Sequence, residues 1–326
     1  KKSSQPEHVK HSIRLKHKPT DLFRKKMKKQ LYFTFLVFTL AACTRAQSPD
    51  VLRQQVQQII SSKNAVVGVQ IIGSNDKDTL TLNGARHYPM QSVFKLHIAL
   101  VVLAEVDKGK FALDQQIEIR KQDLLPGLYS PIQDKYPDGV TLPLSEILRY
   151  TVSASDNVGC DVLLRLLGGP DKVEAYFKQN NFGDISIKIN EQQQQSRWEA
   201  QFSNRTTPAA ANHVLGRYYY NTEKQLSQKS HQFIWQLMRD TETGPNRIKG
   251  QLPAQTVVAH KTGSSGVNKE GLTAAVNDIG IVFLPGGKHF FISIFVTDSK
   301  ESTETNEKII ADIAKAAWDY FSKKAE

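Results

Sequence analysis

YPMQSVFKLHIALVVLAEVDKG, residues 88–109, changes character half-way. From Phe94 onward apolar side chains occupy nearly every face of a helical wheel until Gly109 stops the run, a pattern that predicts a helix buried on several sides. Such a helix needs other elements packed around it and so marks the centre of a globular body. At its start Ser92 and Lys95 stand three residues apart, on one helical face. A serine hydroxyl is a poor nucleophile until a base takes its proton, and a lysine one turn away is placed to help. Taken alone, an S-x-x-K match also fits an ordinary exposed helix pair.

Working outward, SPDVLRQQVQQIISSK (48–63) carries a helix start and helical apolar spacing, and AVVGVQIIG (65–73) with DTLTLN (78–83) reads as a hairpin. From about 111 to 250 the pattern is helical, in LSEILRYTVSAS (144–155), GCDVLLRLLGG (159–169), DKVEAYFKQN (171–180), TPAAANHVLGRYYY (207–220) and SHQFIWQLMRD (230–240). Strands return in TVVAHKT (256–262), AAVNDIGIVFLP (274–285) and HFFISIFVTD (289–298), before a closing helix over 301–323. Strands at both ends with helices between predict an α/β part, about 48–86 and 250–323, and an inserted all-α part, about 87–249.

The chain is 23% charged and 40% apolar, which is globular. Its net charge of +11 is misleading, because residues 1–30 alone carry a net +9. The folded body lacks the basic excess of a nucleic-acid binder, and no nucleic-acid partner is expected. Met27-Lys28-Lys29 followed by the apolar LYFTFLVFTLAA (31–42) reads as a signal peptide over 27–46, too short to span a bilayer. Residues 1–26 then form an extension upstream of the natural start. LAAC (40–43) resembles a lipoprotein box with a lipid on Cys43, while cleavage after Ala46 or Gln47 would release a soluble protein; both readings imply export to the bacterial periplasm. The other cysteine, Cys160, reads as a small buried hydrophobe, so no internal disulfide is expected.

Two further motifs follow Ser92-Val93-Phe94-Lys95: Ser155-Asp156-Asn157, 63 residues on from serine to serine, and Lys261-Thr262-Gly263, a further 106 residues along. They fall between helices and on a late strand. Ser92 at a helix start can lend its backbone N–H to an oxyanion hole, with Ser264 supplying the second donor. Ser155 can pass a proton to a leaving amine, Asn157 can hold a substrate amide, and Lys261 lends positive charge where Ser155 works.

The three motifs in this order resemble the class A serine β-lactamases over about residues 48–323. YPMQSVFKLHIAL (88–100), SASDNVGCD (153–161), TETGPNRIKGQLP (241–253) and VVAHKTGSSG (257–266) are similar to the extended-spectrum PER/VEB-like branch. The resemblance implies a β-lactamase/DD-peptidase-like fold, an antiparallel sheet flanked by helices with an inserted helical domain. It also implies β-lactam hydrolysis through a serine acyl-enzyme, with penicillins and cephalosporins as substrates, in a monomer that needs no protein partner. The family's deacylating glutamate lies on an Ω-loop at a nearly fixed distance beyond the SDN asparagine. Glu191, 34 residues after Asn157, matches that distance; Glu199, 42 after, would need an insertion. In NEQQQQSRWEAQ (190–201) the glutamine run is then loop interior. Gln195 stands where the family usually has a water-holding Asn. Ile189 replaces the Arg that usually bridges the loop, which suggests a loop held differently and more open to bulky cephalosporin side chains.

The resemblance further implies that Arg247 binds the substrate carboxylate with Thr262, Gly263 and Ser264, where the bare reading is a surface arginine after a turn. It casts Tyr129 as an aromatic gatekeeper, where an ordinary half-buried tyrosine reads equally well. His260 has no second ligand at metal spacing, so neither a metal nor an organic cofactor is expected. Two rival functions stand. One is a penicillin-binding peptidase that acylates but deacylates slowly; the other is a non-catalytic surface lipoprotein on the same scaffold.

Overall fold

The computed structural model describes residues 49–74 and 78–323. The upstream extension, the signal peptide and the Cys43 lipid site lie outside the described residues. Strands β1 (Val66–Gly73) and β2 (Thr79–Leu82) form the early hairpin. β8 (Val258–Ser264), β9 (Val276–Phe283) and β10 (His289–Thr297) complete an antiparallel five-stranded sheet in the order β2-β1-β10-β9-β8. β10 is central and buried along its whole length, which is why its sequence runs apolar and does not alternate. The helical middle also holds short strands that its sequence pattern does not announce: β3 (Tyr88–Pro89), β4 (Gln116–Arg120), β5 (Gly139–Pro143), β6 (Ile185–Ser186) and β7 (Arg205–Thr206).

The described helices are α1 (Pro49–Ser61), α2 (Phe94–Asp107), α3 (Pro131–Lys135), α4 (Leu144–Val152), α5 (Asn157–Leu167), α6 (Pro170–Gln179), α7 (Glu191–Gln194), α8 (Pro208–Tyr220), α9 (Gln228–Arg239) and α10 (Thr303–Lys323). α1 and α10 cover one face of the sheet, closing Leu52, Val56, Ile309 and Ile313 over Val69, Ile71, Ile292 and Ile294. A second core gathers around α2, where every residue from Phe94 to Ala104 is buried. The chain turns at Gly109 (φ +77°), two residues beyond the helix end. A fully buried Lys95 cannot stay there without partners. Those partners arrive from α5, from the segment before it, and from the loop between β6 and β7. That loop leaves and returns at one place, because Ile185 pairs with Thr206 and Ser186 with Arg205.

Candidate active site

Lys95 is where the pieces meet. Its Nζ lies 2.9 Å from Ser92 Oγ, 2.8 Å from the Ser155 carbonyl and 2.9 Å from Glu191 Oε1, and it also hydrogen-bonds Asn157 Oδ1. An ammonium has three N–H groups for these four acceptors, so the Ser92 hydroxyl competes for its place in the set. The Ser92 O–H also faces Glu191 Oε1, across a long 3.5 Å. Lys261 stands on the other side of Ser155, its Nζ donating to Ser155 Oγ at 2.9 Å and to the Thr262 carbonyl at 3.0 Å. Burial, and then the nearby Lys95 ammonium, hold the Lys261 pKa well below the ordinary lysine value. A lysine so placed can both give and take a proton beside Ser155.

Backbone geometry fixes these groups. Ser155 sits at φ +60° and Gln91, just before Ser92, at φ +47°, both in the left-handed region that residues other than glycine avoid. Asp156 supports the first of these. Fully buried, it caps α5 through the Gly159 N–H at 2.8 Å and ties in Ser130 Oγ at 2.8 Å and the Ile132 N–H at 2.7 Å. Asn277 on β9 supports the second, donating to the Pro89 carbonyl at 2.8 Å. Strand β8 passes so close to the Ser92 turn that a Cβ on Gly263 would lie 2.5 Å from Met90 O and 3.2 Å from Ser92 N. The Ser265 N–H is bonded to Ala275 O, just before β9. Since N–H directions alternate along a strand, the Ser264 N–H points the other way, off the sheet edge, and Ser264 and Ser92 line one cavity. Their two backbone N–H groups are the donors an oxyanion hole here would use.

The loop carrying Glu191 is tied down without an arginine bridge. Asp161 on α5 accepts the N–H of Glu191 at 2.7 Å and of Gln192 at 3.0 Å. Burial raises its pKa to about 6 against the pull of those two N–H groups. Buried Asn204 accepts from the N–H of Lys188 and Ile189 and donates to the Ile189 carbonyl. Asp161 and Asn204 thus hold the Glu191 turn and the stem of the loop. Glu191 is buried, whereas Glu199 is exposed and faces a separate cavity.

A cavity of about 270 Å³ opens over Ser92. Ser92, Ser155, Asn157, Glu191, Gln195, Tyr129, Arg247, Thr262, Gly263 and Ser264 all line it, with Lys95 and Lys261 buried behind. Arg247 is only 6% exposed, which rules out a surface arginine. Its guanidinium reaches Ser264 Oγ at 2.6 Å, the carbonyls of Asn277 and Gly263 at 2.9 and 3.1 Å, and Glu307 at 3.1 Å. Tyr129 is 56% exposed and lines the cavity. Among the described residues, no three His, Cys, Asp or Glu side chains converge as a metal site would require. His260 is buried against Asp278, with its Nδ1 2.9 Å from the carboxylate.

The Beta-lactamase enzyme family matches this chain over residues 51–321. Beta-lactamase VEB-1 of Pseudomonas aeruginosa is 50% identical to it, across 91% of this chain and 99% of that protein. The chain belongs to the class A β-lactamases. Extended-spectrum beta-lactamase PER-1, also of Pseudomonas aeruginosa, is 43% identical over 86% of this β-lactamase and 90% of its own length. The crystal structure of TLA-1 extended-spectrum β-lactamase superposes with a TM-score of 0.82 at 46% identity, covering 85% of this chain and 100% of that one. The antiparallel sheet with its inserted helical part is thus the fold of this family.

Several residues of this β-lactamase's site escape sequence reasoning. Thr243 and Gly244 line the cavity. The TETG stretch carried a signal for them, since Gly244 adopts φ +64° hard against the Thr262 methyl. Gln91, Gln194, Asp161 and Asn204 gave none, being ordinary polar residues with partners from other segments of the chain. Gln195, expected beside the glutamate, is exposed at the cavity mouth, and the neighbouring Gln194 makes the contact.

Proposed function

We propose that this chain hydrolyses the β-lactam amide bond of penicillins and cephalosporins through an acyl-enzyme on Ser92, conferring resistance to them. The observation that carries the reading is the meeting of Ser92 Oγ, Lys95 Nζ and a buried Glu191 carboxylate within hydrogen-bond reach of the lysine. Ser92 Oγ attacks the lactam carbonyl as its proton passes to Glu191, which its O–H faces, while the Lys95 ammonium steadies the charge that forms between them. The developing oxyanion is held by the N–H groups of Ser92 and Ser264. As the C–N bond breaks, the ring nitrogen takes a proton from Ser155 Oγ, which Lys261 replaces; the proton taken from Ser92 then passes by way of Lys95 to Lys261, leaving Glu191 ionised. Arg247 and the Thr262 and Ser264 hydroxyls hold the substrate carboxylate, Asn157 the side-chain amide, and Tyr129 and Gln195 border the entrance. Glu191 then takes a proton from water, whose oxygen bonds to the acyl carbon. The Ser92 ester breaks, Ser92 Oγ takes the proton that Glu191 drew from the water, and an opened acid is released.

A penicillin-binding peptidase would share the serine, both lysines and the oxyanion donors. What it would lack is a base such as Glu191, and on that ground hydrolysis is favoured. The substrate range is extended-spectrum. A second cavity of about 650 Å³, lined by Trp198, Arg197 and Lys269 among others, shares Gln91, Gln195 and Ser264 with the first and gives room for a bulky acylamino side chain. The chain acts as a monomer in the periplasm, free or held by a lipid on Cys43. No described helix is long and apolar enough to cross a membrane.

Following the loss of lactam absorbance with benzylpenicillin and ceftazidime tests this reading. Wild type is expected to turn over both, and Ser92→Ala to lose roughly a thousandfold or more in kcat. Ceftazidime loss no faster than background removes the extended spectrum; penicillin loss unaffected by Ser92→Ala removes the serine mechanism.

A further inference from the structure

We infer that Gln194 is a positioning residue for Glu191, orienting the carboxylate for deacylation; this rests on the hydrolase reading above. The two oxygens of Glu191 live in different settings. Oε1 meets Lys95 Nζ at 2.9 Å and faces Ser92, while Oε2 accepts from Gln194 Nε2 at 3.1 Å. Gln194 is three residues on in the one-turn helix α7, on the same face as Glu191, and only 1% exposed.

Its amide has a fixed sense. Gln194 Oε1 accepts from Asn204 Nδ2 at 3.2 Å, and Asn204 is itself locked by the backbone of Lys188 and Ile189. Turning the Gln194 amide over would set N–H against N–H at Asn204 and oxygen against carboxylate at Glu191. A third contact, Gln194 Nε2 to Gln91 Oε1 at 3.4 Å, joins the set to the residue before Ser92. A row of amides thus runs from the stem of the loop to the general base. It leaves Oε1 as the oxygen turned to the reacting serine. An N–H donated to a carboxylate also favours its charged form, which is the form a base needs. Gln195 at the cavity mouth leaves this task to its neighbour.

The test uses Gln194→Met, which keeps the length and removes the donor, and Gln194→Glu, which keeps the shape and puts a like charge against Glu191. Acylation and deacylation rate constants for benzylpenicillin are measured across pH, with melting temperatures alongside. Both variants are expected to slow deacylation about tenfold or more, with a smaller effect on acylation, in which Lys95 also takes part. The acid limb of deacylation is the second readout and is expected to move in both variants, further in Gln194→Glu, which sets a second carboxyl against the base. Variants that melt lower but keep the wild-type limb and the wild-type ratio of the two steps would reduce Gln194 to packing and overturn the inference. A wild type that itself stays acylated would overturn the hydrolase reading beneath it.

Discussion

His97 follows Lys95 by two residues on α2, about 200° round the helix, and so points away from the site. Both side chains are fully buried, yet they fare differently because only one has partners. Lys95 has four acceptors around its Nζ. His97 lies 5.0 Å from the Phe177 ring, centroid to centroid, and neither of its nitrogens makes a hydrogen bond of good geometry. Burial lowers its pKa to about 4, with the Val93 carbonyl offsetting part of the effect. The unfolded chain therefore binds a proton between about pH 6.5 and pH 4 that the native protein refuses, and stability falls as pH drops through that window. Once pH has passed below the folded value the loss amounts to about 3 kcal/mol. Denaturant midpoints from pH 8 to pH 4 should fall less steeply for His97→Leu than for wild type. Parallel curves would mean that His97 takes no part in acid unfolding.

At the scale of elements, the proposed mechanism requires β8 to approach closely the turn that carries Ser92. Gly263 permits that approach, since any side chain there would press on Met90 O and the Ser92 N–H. Gly263→Ala should push the Ser264 donor out of line and lower kcat/KM at least tenfold, roughly the effect of displacing a reacting group by an ångström. β8 is an edge strand, so the variant should still fold, with a loss of about 1–3 kcal/mol. Unchanged kcat/KM in a folded Gly263→Ala would show that the approach is not critical. The elements that were legible in the sequence carry their pattern within themselves: α2 in its all-round apolarity, β10 in its unbroken apolar run, and the three motifs at a helix start, a helix cap and a strand end. The two-residue strands β3, β6 and β7 have no pattern to read, and β4 and β5 are short and half-exposed. The partners of Glu191 are hidden for a related reason. Gln194 matters because Asn204, ten residues on, turns its amide, and nothing in a run of four glutamines singles one out.

For the whole molecule, the site lies between the helical part and the β8 edge of the sheet. The helical part supplies Ser92, Lys95, Ser155, Asn157 and Glu191, and the sheet supplies Lys261 to Ser264. In the proposed mechanism one cation, Lys261, and one oxyanion donor, Ser264, thus come from the sheet edge to a nucleophile and base rooted in the helices. A buried Lys95–Glu191 pair is costly to desolvate and is weak support for stability, so its place in the fold makes better sense as chemistry. The deacylating carboxylate separates a hydrolase from a protein that merely captures β-lactams. Intact-mass spectrometry over time, after mixing a cephalosporin with wild type, Glu191→Gln and Glu199→Gln, tests that point most directly. Wild type and Glu199→Gln should shed the adduct quickly, while Glu191→Gln accumulates one acyl group on Ser92. A Glu191→Gln protein that clears its adduct at the wild-type rate would contradict the assignment of Glu191 as the base.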